Sequence, residues 1–135
     1  VTTDANAAHS RRMTSVASRR GNAAERLAAE YLAARGITVV ARNVRCRGGE
    51  IDLLCLDGAV LAVIEVRQRA RARFGGALAS VTPAKQRKIA RAARYVLQTS
   101  VELRGRLMRF DVIGIEGLPD GAHEVCWIKD AFRAR

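Results

Sequence analysis

An α/β fold in the order helix, three strands, helix, two strands is what the sequence predicts, and three observations predict it. Two short apolar runs, Gly49–Leu56 and Ala59–Val66, are joined by Asp57-Gly58, the combination of strand-forming runs and turn residues that marks a β-hairpin. Apolar residues at helical spacing lie on both sides of it, at 22–35 and 83–98. Beyond the second helix come two more strand-like runs, Met108–Ile115 and Glu124–Lys129, with Leu118-Pro119-Asp120-Gly121 as the turn between them. No internal repeat or interdomain linker interrupts residues 21–135, which read as a single domain.

Residues 1–20 are small, polar and basic, with two Arg-Arg pairs and neither helical nor strand periodicity. They read as a disordered basic tail. Their Arg- and Ser-rich composition also resembles an organellar transit peptide, and Met13 offers a later start. In the first helix Ala24, Leu27, Ala28, Tyr31 and Leu32 form the apolar stripe, with Asn22 as N-cap and Gly36 as the stop. Glu25 lies on the flank of that stripe. Taken alone it is a first-turn acid favoured by the helix dipole.

A strand over 38–44 enters the hairpin through the basic turn Arg45-Cys46-Arg47-Gly48-Gly49, which can touch phosphate. With Asp57 and Gly58 as the loop, Leu56 faces Ala59, Asp52 faces Val63 and Glu50 faces Glu65. Side chains alternate with a period of two, so Glu50, Asp52, Glu65 and Arg67 share one face. The other face, Ile51, Leu53, Cys55, Val60, Ala62, Ile64 and Val66, is apolar.

A basic, glycine-containing loop follows at 68–76, carrying Arg69, Arg71 and Arg73. Phosphate contact and simple solvated charge are both open readings of it. Thr82 and Pro83 then open the second helix as N-cap and first residue. Ile89, Ala92, Ala93, Val96 and Leu97 form its apolar face, and Gln86 is placed to point toward the sheet. Its other side carries Lys85, Arg87, Lys88, Arg91 and Arg94 without one acid in the helix. An ordinary exposed helix mixes signs, so a nucleic-acid backbone is the favoured partner. In the next strand Asp111 reads as a structural partner of Arg109, with a second acid near the hairpin as the alternative.

The chain carries 24 Lys and Arg against 13 Asp and Glu, a formal charge of +11, which favours a polyanionic partner. Aromatic residues are only 4% of the chain, too few for a surface that stacks single-stranded bases, so double-helical backbone is expected. Cys46, Cys55 and Cys126 form no Cys-x-x-Cys pair. That argues against structural zinc and a disulfide framework and fits a reducing cytoplasm. No apolar stretch approaches the ~20 residues that span a bilayer, and residues 1–20 lack the apolar core of a secretory signal.

The acidic face of the hairpin points to a metal. Two carboxylates ~4 Å apart repel by ~4 kcal/mol at an effective dielectric constant of ~20, and a face with three acids beside one arginine lacks cationic charge. A hard cation such as Mg²⁺, which takes oxygen ligands and keeps several waters, needs only one or two carboxylates from the protein. In the structural alternative, Glu50 and Glu65 are solvated strand ends paired with Arg45, Arg47 or Arg67. A basic ribosome- or RNA-associated protein would also fit the charge but leaves the acidic face unexplained.

The element order, with a strand-borne Asp followed by Glu-x-Arg across a hairpin, resembles the PD-(D/E)XK nuclease superfamily. More closely, the chain resembles the YraN family of small bacterial endonuclease-like proteins. The resemblance runs from about Gly21 to Ile115. It rests on Glu25, Tyr31-Leu32 and Gly36, on Arg42-Asn43, on Gly49-Glu50-Ile51-Asp52, and on Glu65-Val66-Arg67 with Arg69. Phe74-Gly75, Lys85 and Arg109-Phe110-Asp111-Val112 extend it.

The resemblance implies a restriction-endonuclease-like αβββαβ core, with a mixed central sheet flanked by helices. It also implies Mg²⁺, or Mn²⁺, held by Asp52, Glu65, the Val66 carbonyl and Glu25. Arg67 departs from the family pattern, which has lysine there. A buried lysine can lose its proton and activate water, whereas arginine effectively cannot, although Arg67 can still meet charge on a phosphoryl group. The implied activity is hydrolysis of DNA phosphodiesters, with Asp52, Glu65, Arg67 and Glu25 as catalytic residues. Arg69, Arg71, Arg73, Lys85, Arg87, Lys88, Arg91 and Arg94 would grip the backbone. Likeness in element order to archaeal-type Holliday junction resolvases suggests branched DNA, and symmetric cutting of two strands would call for a homodimer. The competing expectation is a DNA-binding module on a nuclease scaffold that lost its catalytic lysine.

Overall fold

The computed structural model describes residues 19–68 and 74–133. Helix α1 (Arg19–Ala33) leads into strands β1 (Thr38–Cys46), β2 (Gly49–Asp57) and β3 (Val60–Gln68). Helices α2 (Phe74–Ala79) and α3 (Pro83–Thr99) follow, then strands β4 (Met108–Gly117) and β5 (His123–Phe132). The five strands form one sheet in sequence order. Neighbours are antiparallel except β3 and β4, which run parallel because the helices carry the chain back across the sheet. This α/β arrangement, a mixed sheet flanked by helices, is the predicted fold class and is consistent with a restriction-endonuclease-like core.

Helix α1 begins at Arg19 rather than at Asn22, so Asn22 lies inside it and is not its cap. Gly21 does not stop it, since one glycine costs a helix only about 1 kcal/mol relative to alanine. The expected stop is present. Gly36 takes φ +81°, its N–H donates to the Ala33 carbonyl at 3.1 Å, and the Ile37 N–H donates to that of Leu32 at 3.1 Å, a Schellman ending. Helix α3 starts as predicted, with Thr82 as N-cap accepting from the Lys85 N–H and Pro83 in the first turn. The short helix α2 replaces part of the expected 68–76 loop.

Two apolar layers hold the helices to the sheet. On one face Ala24, Ala28, Ala29 and Leu32 of α1 pack on Leu53, Cys55, Ala62, Ile64 and Ile113. On the other Ile89, Ala92, Ala93 and Val96 of α3 pack on Ala41, Val44, Leu54, Leu61 and Val63. Strand β3, covered on both faces, is buried from Leu61 to Val66, which explains its unbroken apolar sequence.

The hairpin register differs from the predicted one by two residues. Asp57 pairs with Val60 and Leu53 with Ile64, so the loop is Gly58-Ala59. Gly58 has φ +60° and Ala59 does not take positive φ, the arrangement of a type II′ rather than a type I′ turn. Asp57 stays in the strand because Arg109 holds its carboxylate at 3.0 Å, with Lys129 at 3.6 Å. Arg109 keeps that carboxyl below the usual carboxylate range. A shift of two preserves the faces but changes the neighbours: one step past the last pair, Asp52 stands opposite Glu65 rather than Val63.

Alternation also breaks in β2. Ile51 packs in the α3-side layer with Leu54, whereas Leu53 packs on the α1 side, so Ile51 and Leu53 do not share a face as expected. The cause lies in β1, where Asn43 takes φ +49° and Ala41 and Val44, three positions apart, face the same layer. The paired β2 turns over with it, and Asp52 sits at the turning point.

Candidate active site

Asp52 is where the β2–β3 ladder ends. The last pair is Leu53 with Ile64, and beyond it the Asp52 carboxylate replaces the β2 main chain, accepting from the Val66 N–H at 2.9 Å. A strand residue turns its N–H and C=O to the same edge, so the Val66 carbonyl faces this gap too. Glu65 enters from the neighbouring position on β3 and is only 2% exposed. From above, Glu25 reaches down from α1 and is 7% exposed. Its carboxyl exchanges hydrogen bonds with Asn43 and Asp52, so the left-handed Asn43 both twists the strand and orients an acid. Asparagine is one of the few residues that adopts that conformation readily.

Burial sets the charge state of this group. It pushes the Glu25 carboxyl up to about 7, with the charges of Glu50 and Glu65 adding to the rise and the bonds with Asn43 and Asp52 opposing it. Asp52 is held well above the carboxylate range, first by burial and then by the charge of Glu65.

Two cationic groups answer the acids. Lys85, in the first turn of α3, places Nζ 2.8 Å from Glu65 Oε2. Arg67 Nη1 approaches the same oxygen at 3.4 Å. The rest of the Arg67 guanidinium is committed to the segment between α2 and α3: Nε donates to Ser80 Oγ and Nη2 to the Ser80 carbonyl, each at 2.9 Å. Ser80 carries no sequence signal for such a role, and Lys85 was expected to touch nucleic acid rather than a site carboxylate.

The donor set suits a hard cation: three carboxylates and a carbonyl edge, all oxygen. One oxygen, Glu25 Oε2, is buried without a hydrogen-bond partner, which a native fold tolerates only where something else satisfies it. Among the described residues no three His, Cys, Asp or Glu side chains stand in a ready-made coordinating arrangement. The Val66 N–H donates to one Asp52 oxygen, and Lys85 pairs with one Glu65 oxygen.

The structure thus brings together Glu25, Asp52, Glu65, Val66, Arg67 and Lys85. Glu50, expected opposite Glu65, instead pairs with Arg45 at 3.0 Å on the half-exposed strand end. Arg87, Lys88, Arg91 and Arg94 lie along the exposed side of α3, away from the acids. They line two grooves flanking the helix, of about 660 and 670 Å³, and Arg91 borders both. Arg69, Arg71 and Arg73 fall outside the described residues. Asp111 is structural, as expected: fully buried, it accepts from Arg109 at 2.8 and 2.9 Å, from Trp127 Nε1 at 3.0 Å and from the Asp130 N–H at 2.9 Å. Gln86 is half-buried and donates to the Val81 carbonyl at 3.0 Å. All three cysteines are free, and among the described residues no helix is long and apolar enough to cross a membrane.

Fold and site define a class of small α/β proteins in which carboxylates gather where a hairpin parts within a helix-flanked mixed sheet. The chain belongs to the UPF0102 family. The profile described as "Uncharacterised protein family UPF0102" matches residues 24–115, a span that begins just before Glu25 and contains every residue of the cluster. A UPF0102 protein of Nitrosococcus oceani is 46% identical over 114 residues, covering 84% of this chain and 91% of its own. One from Ralstonia pickettii is 52% identical over 116 residues, covering 83% and 88%. Another, from Aeromonas hydrophila, is 48% identical over 115 residues, covering 84% of both chains.

Proposed function

We propose that the protein is a divalent-cation-dependent endonuclease of the PD-(D/E)XK type that hydrolyses DNA phosphodiesters, with branched or junction DNA as its preferred substrate. The observation that carries this reading is the meeting of Glu25, Asp52 and Glu65 from three elements at the end of the β2–β3 ladder, with one buried Glu25 oxygen unpartnered. Asp52, Glu65 and the Val66 carbonyl would hold Mg²⁺ or Mn²⁺, and Glu25 would hold it directly or through water. Such a cation lowers the pKa of a bound water and polarises a phosphoryl oxygen.

The chain's own residues supply the rest. Ser80 fixes Arg67 so that Nη1 faces the site, where its permanent charge can meet negative charge developing on the phosphoryl group. Arg87, Lys88, Arg91 and Arg94 are exposed on an acid-free helix face, suited to sequence-independent contact with phosphates. The exclusion of water is partial, since Lys85 keeps the site in touch with the groove beside α3.

The test is incubation of the purified chain with linear, nicked and four-way-junction DNA in Mg²⁺, Mn²⁺ or EDTA. Strand cleavage with either metal and none in EDTA is expected, with the junction cut fastest. DNA binding of undiminished affinity without cleavage under any condition would overturn the enzymatic reading in favour of a binding module.

A further inference from the structure

We propose that Lys85 is a built-in counterion for the metal site: its ammonium occupies the cation's place at Glu65 and leaves it when a divalent cation binds, moving into the adjoining groove to hold a phosphate oxygen. This rests on the metal-dependent reading above and adds a residue-level coupling between cation and polyanion binding.

The contacts single out Lys85. Its Nζ makes the shortest ion pair to Glu65 in the site, 2.8 Å. Glu65 is 2% exposed while the Lys85 side chain is 35% exposed, so the ammonium enters from the solvent side and can withdraw the same way. Arg67 has no such freedom, because Ser80 holds it at two points. Lys85 and Arg67 both pair with Glu65, and among the described residues no ion pair reaches Glu25 or Asp52, with Glu25 Oε2 still unpartnered. A divalent cation drawing on all three acids would answer more of that deficit than Lys85 does.

The groove supplies the second position. Lys85 lines it together with Lys88, Arg91 and the Arg45–Glu50 pair, a lining whose cations outnumber its one acid and which therefore favours an anion. Lys85 lies in the first turn of α3, where the helix dipole disfavours a cation and favours an anion. Once Glu65 turns to the metal, an anion in this groove becomes the natural partner of the freed ammonium. One side chain then links the two bindings, a coupling that must run in both directions.

Two measurements test this without relying on cleavage. Calorimetric titration of Mn²⁺ into the metal-free chain compares the parent with Lys85→Met and Lys88→Met, a groove lysine away from Glu65. Lys85→Met is expected to bind Mn²⁺ roughly tenfold tighter, with Lys88→Met close to the parent and Lys85→Arg unimproved. Fluorescence anisotropy with duplex DNA then compares EDTA with Ca²⁺. Lys85→Met should cost DNA affinity in Ca²⁺ and little in EDTA, where the ammonium is already engaged by Glu65. Equal tightening of Mn²⁺ by both methionine variants, or weaker Mn²⁺ binding by Lys85→Met, overturns the proposal while leaving the metal site standing. A parent that binds no Mn²⁺ overturns both.

Discussion

The guanidinium of Arg67 grips Ser80 at two points, Nε on the hydroxyl and Nη2 on the carbonyl, each at 2.9 Å. Ser80 Oγ in turn donates to the Ala77 carbonyl at 2.6 Å, so β3 is tied to the end of α2 just before α3 begins. The arginine at this position therefore has a mechanical role that lysine, with one nitrogen, cannot reproduce. Arg67→Lys is expected to lower stability by about 2 kcal/mol, the order for losing hydrogen bonds from a charged donor. Urea denaturation reads this directly, and a gain of nuclease activity in the same variant would instead show that arginine had replaced a working lysine.

Glu25 gives the fold a pH dependence of unusual sign. Its folded-state carboxyl titrates at about 7, against an ordinary 4.5, so between those values the native chain holds a proton that the unfolded chain has released. Stability from this group is complete below about pH 4.5 and declines as pH rises toward 7, by roughly 3 kcal/mol over the window. Metal-free protein followed by urea denaturation at pH 5, 6, 7 and 8 should show this fall, and Glu25→Gln should reduce it, leaving the part that Asp52, raised by burial and the charge of Glu65, contributes. Saturating Mn²⁺ should offset the fall by binding the ionised form.

Asp111 should be the most sensitive acid to remove, although it takes no part in the chemistry. It is fully buried and accepts four hydrogen bonds, two of them from Arg109. Asp111→Ala leaves that guanidinium with Asp57 alone and strands two further donors, an expected loss of about 3–5 kcal/mol. Trp127 fluorescence should shift in step, since its Nε1 loses its acceptor.

Gly49 is required by close approach. A Cβ there would collide with the Lys88 carbonyl, so the β1–β2 turn lies against the α3 backbone. Gly49→Ala must push turn and helix apart, at an expected cost of about 1–3 kcal/mol. The melting temperature should fall, and DNA binding should weaken with it because the groove between turn and helix changes shape.

Local signals carried much of the fold. Thr82-Pro83 and Gly36 act within one turn of a helix, and both boundaries stand where those residues place them. The hairpin loop slipped by one residue, and the register by two, because Arg109 and Lys129 hold Asp57 from strands far along the chain. No local pattern reports such a contact. The same holds for the site: Asp52 and Glu65 are legible as acids on apolar strands, and the family resemblance supplied Glu25. The Lys85–Glu65 pair and the Ser80 tether arise only when the α2–α3 crossover returns over β3. The inversion of β2 at Asp52 was equally hidden, since it follows from the left-handed backbone of Asn43 on a neighbouring strand.

In the proposed function, the Asp52 carboxylate supports metal-dependent cutting of DNA. Single-turnover cleavage of an end-labelled four-way junction by the parent and by Asp52→Asn, a nearly isosteric change, tests it most directly. Cleavage by the parent in Mg²⁺ or Mn²⁺ is expected, with none in EDTA and only background in the variant, whose DNA binding is retained. Cleavage by Asp52→Asn at the parent's rate would contradict this role.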